Sequence, residues 1–197
     1  MSRHPTPKTS ARAWLTVPAT SLLLATGSLT ALLPQTAFAG QYLTVEQAQT
    51  ALFADADHFE PRTVRLTPEQ LKTLDGVAQV RQRGELRVID AFQGNRYLGT
   101  VYIDDVIGKV EWITYAVAIG SDGAVRSLEI LEYRETHGSE IRLPGWRKQF
   151  LGRRTDTPFR FGEDIKNISG ATLSCSHLTA GVQRLLTLHP QLKGGKG

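Results

Sequence analysis

The segment Ser169-Gly170-Ala171-Thr172 precedes an amphipathic run that ends near Leu188, and its residue types could bind a phosphate. With Ser169 as the N-cap, the next three residues form the first helical turn. There, backbone N–H groups have no intrahelical partner and the helix dipole is positive. Gly170 lets a ligand approach the backbone, and the Thr172 hydroxyl lies in the same turn. A phosphate attached to Thr172 would therefore meet several donors at once.

A simpler interpretation of the same segment needs no ligand, because small residues are common at capped helix starts that pack closely. A rotation of about 100° per residue predicts an apolar face on the helix. Its members are Ala171, Cys175, Leu178, Val182 and Leu185. Thr172 is expected at the edge of this face, so that a group on Thr172 would lie along the junction between the helix and whatever it packs against.

The middle of the chain has the pattern of an antiparallel meander. Short apolar runs are separated by turn residues such as Gly94-Asn95 and Gly108-Lys109. The predicted strands are Leu86–Ala91, Tyr97–Ile107, Ile113–Ile119 and Val125–Tyr133. Because Ile113–Ile119 is apolar almost throughout, we expect a central strand that is covered on both faces.

Helices are predicted around this meander. Thr44 and Gln47 have capping-box spacing for a helix to about Phe53, and Thr67-Pro68 starts another that ends near Asp75-Gly76. Thr63–Leu66 and Phe159–Phe161 resemble short strands, and Pro144–Leu151 resembles one or two helical turns. The C-terminal helix is expected from Ser169 to about Leu188, where His189-Pro190 would end it. The predicted fold class is α+β, a twisted antiparallel sheet with helices packed against it.

The first 39 residues have the pattern of a secretory signal. Basic residues precede the apolar stretch Trp14–Leu33, and Ala37-Phe38-Ala39 is a small-x-small cleavage site. We therefore expect cleavage after Ala39 and a periplasmic or otherwise extracytoplasmic protein. The alternative is an uncleaved membrane anchor, because Trp14–Leu33 is nearly long enough to span a bilayer.

Removal of the signal would leave a nearly neutral protein. The 23 Lys and Arg residues fall to 20, against 19 Asp and Glu. This balance does not indicate nucleic acid as a partner, and the His, Cys and carboxylate residues show no metal-ligand spacing. The single cysteine, Cys175, cannot form an internal disulfide and is expected in the core.

Two stretches of the chain resemble the FMN-binding domain family. Ile168-Ser169-Gly170-Ala171-Thr172-Leu173-Ser174 is similar to the family's flavinylation motif. Glu135-Thr136-His137-Gly138, which follows the last predicted strand, is similar to its Glu-Thr-x-Gly loop. The resemblance extends over about Ile113 to Leu186, with the motifs in the family's order. Members of this family include the C subunit of the sodium-translocating NADH:quinone reductase and the G subunit of the Rnf complex.

The resemblance implies FMN as the cofactor, attached as a phosphoester to Thr172 by a flavin transferase that uses FAD. It implies that Ser169, Gly170, Ala171, Glu135, Thr136 and Gly138 contribute to the cofactor site. One of Trp146 and Tyr115 is a candidate to stack near the flavin ring; the alternative is that both are ordinary core aromatics. The expected function is electron transfer with a membrane or periplasmic redox partner, rather than catalysis as a stand-alone enzyme.

Together, the sequence patterns and the resemblance predict the domain organisation. Residues 1–39 form the signal, 40–84 an N-terminal extension of helix and strand, 85–192 the FMN-binding domain, and 193–197 a disordered tail.

Lys166 departs from the family's pattern, which usually has Asp three residues before the motif's Ser. This exchange leaves a second hypothesis open, in which FMN or another phosphate ligand binds without a covalent link. A third hypothesis is a secreted hydrolase that uses Ser174, Ser176 or Thr172 with His177. The chain has no Gly-x-Ser-x-Gly elbow to support it.

Overall fold

Six antiparallel strands form one sheet in the computed structural model, which describes residues 40–72 and 84–193. The strands are β1 Gly40–Gln41, β2 His58–Arg65, β3 Glu85–Gln93, β4 Arg96–Ile107, β5 Trp112–Gly120 and β6 Val125–Tyr133. Their order across the sheet is β1-β6-β5-β4-β3-β2. The predicted meander is therefore confirmed as the consecutive pairs from β3 to β6, and β2 extends it at one edge.

Helices lie on both faces of this sheet. They are α1 Val45–Leu52, α2 Pro68–Lys72, α3 Pro144–Arg147 and α4 Thr172–Leu192, with 3-10 turns at Ser139–Arg142 and Lys148–Phe150. The predicted capping box is present, because the Thr44 hydroxyl accepts from the Gln47 N–H and the Gln47 side chain accepts from the Thr44 N–H. The α+β class is confirmed.

Strand β5 has a core on each side. Tyr115 and Val117 belong to the cluster beneath α4, whereas Ala116 and Ala118 belong to the cluster beneath α1. All of them are fully buried, as the apolar run Ile113–Ile119 predicted. The predicted apolar face of α4 is also confirmed, because Cys175, Leu178, Val182 and Leu185 have no exposed surface.

Two short predictions differ from the structure. Thr63–Arg65 is the end of the longer β2, whose eight residues all pair with β3, and Leu66 follows the strand. Phe159–Phe161 is not a strand: Phe161 makes an isolated bridge to Ile165, within a tight loop in which Asp164 accepts from the Arg160 N–H. The predicted end of the second helix near Asp75 lies outside the described residues.

The C-terminal helix continues past the predicted stop at His189-Pro190 and ends at Leu192. Pro190 removes one N–H from the helical ladder, but contacts on both sides of it hold the last turn. His189 is buried with its Nδ1 2.8 Å from the Tyr102 hydroxyl, and Arg62 Nη2 donates to the Leu192 carbonyl at 2.6 Å. These tertiary contacts therefore outweigh the helix-breaking tendency of Pro190.

A buried polar cluster joins α4 to the sheet. Arg184 of α4 forms an ion pair with Asp104 of β4, and Tyr115 of β5 donates to the same carboxylate at 2.9 Å. The helix approaches closely at Gly181, where an added β-carbon would lie 2.5 Å from the Tyr115 hydroxyl oxygen. These contacts set the position of α4, and hence of its first residues, relative to the strands.

No helix in the described part of the chain has the length and apolar character needed to cross a membrane. The predicted signal, its alternative as an anchor, and residues 194–197 of the predicted tail lie outside the described residues.

Candidate functional site

A groove of about 410 Å³ opens where three segments of the chain meet. The β4–β5 turn contributes Lys109 and Val110, the loop after β6 contributes 135–137, and the start of α4 contributes 170–174. The groove therefore brings together the two sequence motifs, which are more than 30 residues apart in the chain, and adds a third segment.

A tight turn precedes α4 and sets where the helix begins. The Ala171 N–H donates to the Ile168 carbonyl at 3.0 Å, and Gly170, between them, has a φ of 81°. A positive φ at this position is typical of a type II turn and cannot belong to a right-handed helix. The predicted N-cap at Ser169 is therefore wrong, since Ser169 lies in the turn, Ala171 is the N-cap and Thr172 is the first helical residue.

The first turn of α4 has backbone N–H groups that lack an intrahelical acceptor. The first ladder bond of the helix runs from the Cys175 N–H to the Ala171 carbonyl, at 2.9 Å. The N–H groups of Thr172, Leu173 and Ser174 precede this bond and have no intrahelical acceptor. All three residues line the groove. These three N–H groups are the helix-start donors available to an anion, whereas the Ala171 N–H is used in the turn.

Thr172 is exposed and lines the groove. The Asn167 side chain reaches back across the turn, so that its Nδ2 donates to Thr172 Oγ1 at 3.0 Å. The sequence analysis did not identify Asn167, because only the turn at Ser169-Gly170 brings a residue five positions away over the helix start.

Lys166 does not line the groove. Its ammonium group donates to the Glu163 carbonyl at 3.1 Å, on the loop that precedes the motif. The charge that replaces the family's carboxylate is therefore directed to its own loop.

Glu135 fastens the β4–β5 turn. Its Oε1 accepts from the Val110 N–H at 2.7 Å and from the Glu111 N–H at 3.0 Å. Partial burial raises the pKa of this carboxyl, but the backbone donors outweigh burial, and the pKa lies below its ordinary value. Glu135 lines the groove, and this oxygen shapes the groove wall.

The rest of the Glu-Thr-x-Gly loop follows Glu135 along the groove. The Thr136 hydroxyl and His137 Nδ1 lie 2.9 Å apart, and the Tyr133 hydroxyl donates to the His137 carbonyl. Gly138 does not line the groove but packs under it, where an added β-carbon would overlap the side chain of Ala171. This loop thus supports the start of α4 as well as facing the groove.

Two exposed apolar side chains flank the groove. Val110 is 70% exposed and Leu173 is 47% exposed, and Lys109 contributes a cationic group beside Val110. Lys109 and Val110 were not predicted as site residues, because a Gly-Lys dipeptide between two strands is also an ordinary turn. A large solvent-facing valine at such a turn was the one available signal.

Trp146 and Tyr115, the candidates for stacking, do not line the groove. Trp146 belongs to the core and donates through Nε1 to the Lys166 carbonyl at 2.7 Å. Tyr115 is fully buried and bonded to Asp104. His177, the base of the hydrolase hypothesis, has Nδ1 2.7 Å from the Ile107 carbonyl oxygen and thereby ties α4 to the end of β4.

Comparison with known proteins gives a family match that includes the groove. Residues 108–187 match the model of the family described as the FMN-binding domain, a segment that begins at the β4–β5 turn and ends within α4. It contains all three segments of the groove. A search of the curated proteins gives no match. The family match supports FMN binding by this chain and implies FMN as its cofactor.

Proposed function

We propose that this chain is an exported electron-transfer flavoprotein that carries FMN as a phosphoester on Thr172. One observation carries the proposal: exposed Thr172 lines the groove where the two motifs meet, within the segment that matches the FMN-binding domain. The sequence resemblance to the C subunit of the sodium-translocating NADH:quinone reductase and the G subunit of the Rnf complex suggests the covalent link.

The residues present fit FMN in size and chemistry. A groove of about 410 Å³ is within the usual range for small-ligand sites. The N–H groups of Thr172, Leu173 and Ser174 would hold the phosphate, with Lys109 as a nearby positive charge. The side chains of Val110 and Leu173 would pack against the apolar part of the flavin ring. When bound, FMN supplies the one- and two-electron redox chemistry.

Attachment requires a phosphoryl transfer that another protein catalyses. With FAD as donor, the bond from Thr172 Oγ1 to the FMN phosphorus forms and the bond from that phosphorus to the AMP phosphate breaks. AMP leaves with the electron pair, and the hydroxyl proton passes to the transferase or to water. No oxidant is needed, so a flavin transferase that takes FAD is sufficient as the maturation partner.

Export and redox partners belong to the same proposal. Cleavage after Ala39 would leave Gly40, the first residue of β1, as the new N-terminus, and would keep every described residue of the fold. An open groove leaves the flavin reachable by a membrane or periplasmic electron donor and acceptor. N-terminal sequencing of the exported protein should begin at Gly40.

Non-covalent FMN binding is the second candidate, and Lys166 is the observation that favours it. The family's carboxylate is absent from that position. The groove and the helix-start donors would still hold a phosphate without an ester. In this version flavin is released by acid precipitation, and binding survives replacement of Thr172.

Co-expression with a flavin transferase tests the proposal. The wild-type protein should be yellow, keep its flavin fluorescence in a denaturing gel, and undergo reversible reduction in a spectroelectrochemical titration. Thr172→Val keeps the side-chain shape without the hydroxyl and should abolish the fluorescent band. Fluorescence in the Thr172→Val band would place the ester elsewhere, and a colourless wild-type protein would contradict covalent attachment.

A further inference from the structure

We infer that Asn167 is a positioning residue, which holds the Thr172 hydroxyl in the orientation needed for flavin attachment. The inference rests on the proposed function. Asn167 lies outside the Ser-Gly-Ala-Thr segment but supports its threonine. It starts from one contact, the hydrogen bond from Asn167 Nδ2 to Thr172 Oγ1 at 3.0 Å.

The N-cap residue beside Thr172 cannot hold the threonine hydroxyl. Ala171 is the N-cap and has no polar side chain, and Thr172 itself is exposed. An exposed threonine at the first helical position can exchange between rotamers, which moves its hydroxyl. The amide of Asn167 selects one of these rotamers by donating to the oxygen.

Contacts with the core fix the backbone before Asn167, so the Asn167 side chain extends from a fixed position. The Lys166 N–H donates to Gln149 Oε1 at 2.7 Å, and the Lys166 carbonyl accepts from Trp146 Nε1 at the same distance. Trp146 is 7% exposed and packs edge to face against Phe150. A chain of contacts thus runs from the core through Lys166 to Asn167 and the acceptor hydroxyl.

The chemistry of an amide suits this task. Because Nδ2 donates to Oγ1, the proton of the hydroxyl stays free for transfer to a base as the oxygen attacks phosphorus. The amide carries no charge, so it adds no repulsion toward the incoming pyrophosphate. A carboxylate at position 167 could only accept from the hydroxyl, which would engage the proton that must leave.

The test measures the initial rate of flavin incorporation into purified protein with FAD and a flavin transferase, by intact mass. Asn167→Ala should be modified about three- to tenfold more slowly than wild type, as expected for loss of one hydrogen bond. Asn167→Asp should also be slower. Asn95→Ala is the matched control, because Asn95 is an exposed asparagine in the β3–β4 turn, away from the groove.

A second readout needs no flavin. In the unmodified protein, the Hα–Hβ scalar coupling of Thr172 should report one rotamer in wild type and in Asn95→Ala, and an average in Asn167→Ala. An averaged wild-type coupling, or modification of Asn167→Ala at the wild-type rate, overturns the inference while leaving the ester intact. Failure of the wild-type protein to be modified overturns the proposed function as well.

Discussion

Gly138 and Ala171 are in direct contact across the floor of the groove. An added β-carbon on Gly138 would overlap the Ala171 side chain and lie 3.2 Å from its Cα. Gly138 also has a φ of 82°, which favours glycine. This contact joins the two motifs, because one residue ends the Glu-Thr-x-Gly loop and the other is the N-cap of α4.

Gly138→Ala should therefore separate the loop from the helix start. Overpacking and the left-handed backbone together should lower the free energy of unfolding by about 2–4 kcal/mol and weaken FMN binding. Urea unfolding and FMN titration measure the two effects. Gly145→Ala is the matched control, since a β-carbon on Gly145 meets nothing within 4 Å, and it should change neither. Equal behaviour of the two variants would contradict the contact.

Lys109→Ala should weaken FMN binding about tenfold, because it removes the positive charge beside the proposed phosphate site. The effect should shrink as salt is raised. Lys166→Ala is the control, since the Lys166 ammonium is bonded to the Glu163 carbonyl away from the groove. Fluorescence titration with FMN measures both variants. A larger loss in Lys166→Ala would place the phosphate on the other side of the turn.

Asp104→Ala should destabilise the protein by about 3–5 kcal/mol, because it leaves the buried Arg184 guanidinium without its counter-charge. The double variant Asp104→Leu with Arg184→Met should recover most of this loss in a denaturant titration. Asp55→Ala removes a carboxylate from an exposed pair with Arg126 and should cost much less. Equal losses from the buried and exposed pairs would show that Asp104 does not hold α4.

The free energy of unfolding should fall as the pH is lowered, because of His189. Burial, reinforced by Lys193, lowers the pKa of His189 to about 4, from an ordinary value of 6.5. The unfolded chain therefore binds this proton first, so the contribution is complete above about pH 6.5 and is lost as the pH falls toward 4. The loss should approach about 3 kcal/mol. His189→Phe should flatten this slope in unfolding titrations, and an unchanged slope would contradict the assignment.

The fold was largely predictable, because its signals are local. Alternating strands, the Thr44 capping box and the apolar stripe of α4 each depend on residues close together in the chain. The end of α4 was not predictable, because the Tyr102–His189 contact that holds it joins residues 87 apart. The burial of Arg184 was not predictable either, because no residue near it in the chain indicates that its side chain is buried.

The residues of the candidate site were more predictable than their arrangement. The two motifs indicated Thr172 and Glu135, but not that Glu135 fastens the β4–β5 turn and so brings Lys109 and Val110 to the groove. The start of α4 was misplaced because a serine followed by small residues fits an N-cap, whereas Gly170 adopts a turn conformation that excludes the helix.

The mass of the Thr172 peptide from protein purified from its native host tests the central claim most directly. We predict that it exceeds the mass calculated from the sequence by one FMN less one water, and that fragmentation places the addition on Thr172. An unmodified peptide from protein that contains no flavin would contradict the account. An unmodified peptide from protein that releases FMN in acid would contradict the ester and support non-covalent binding.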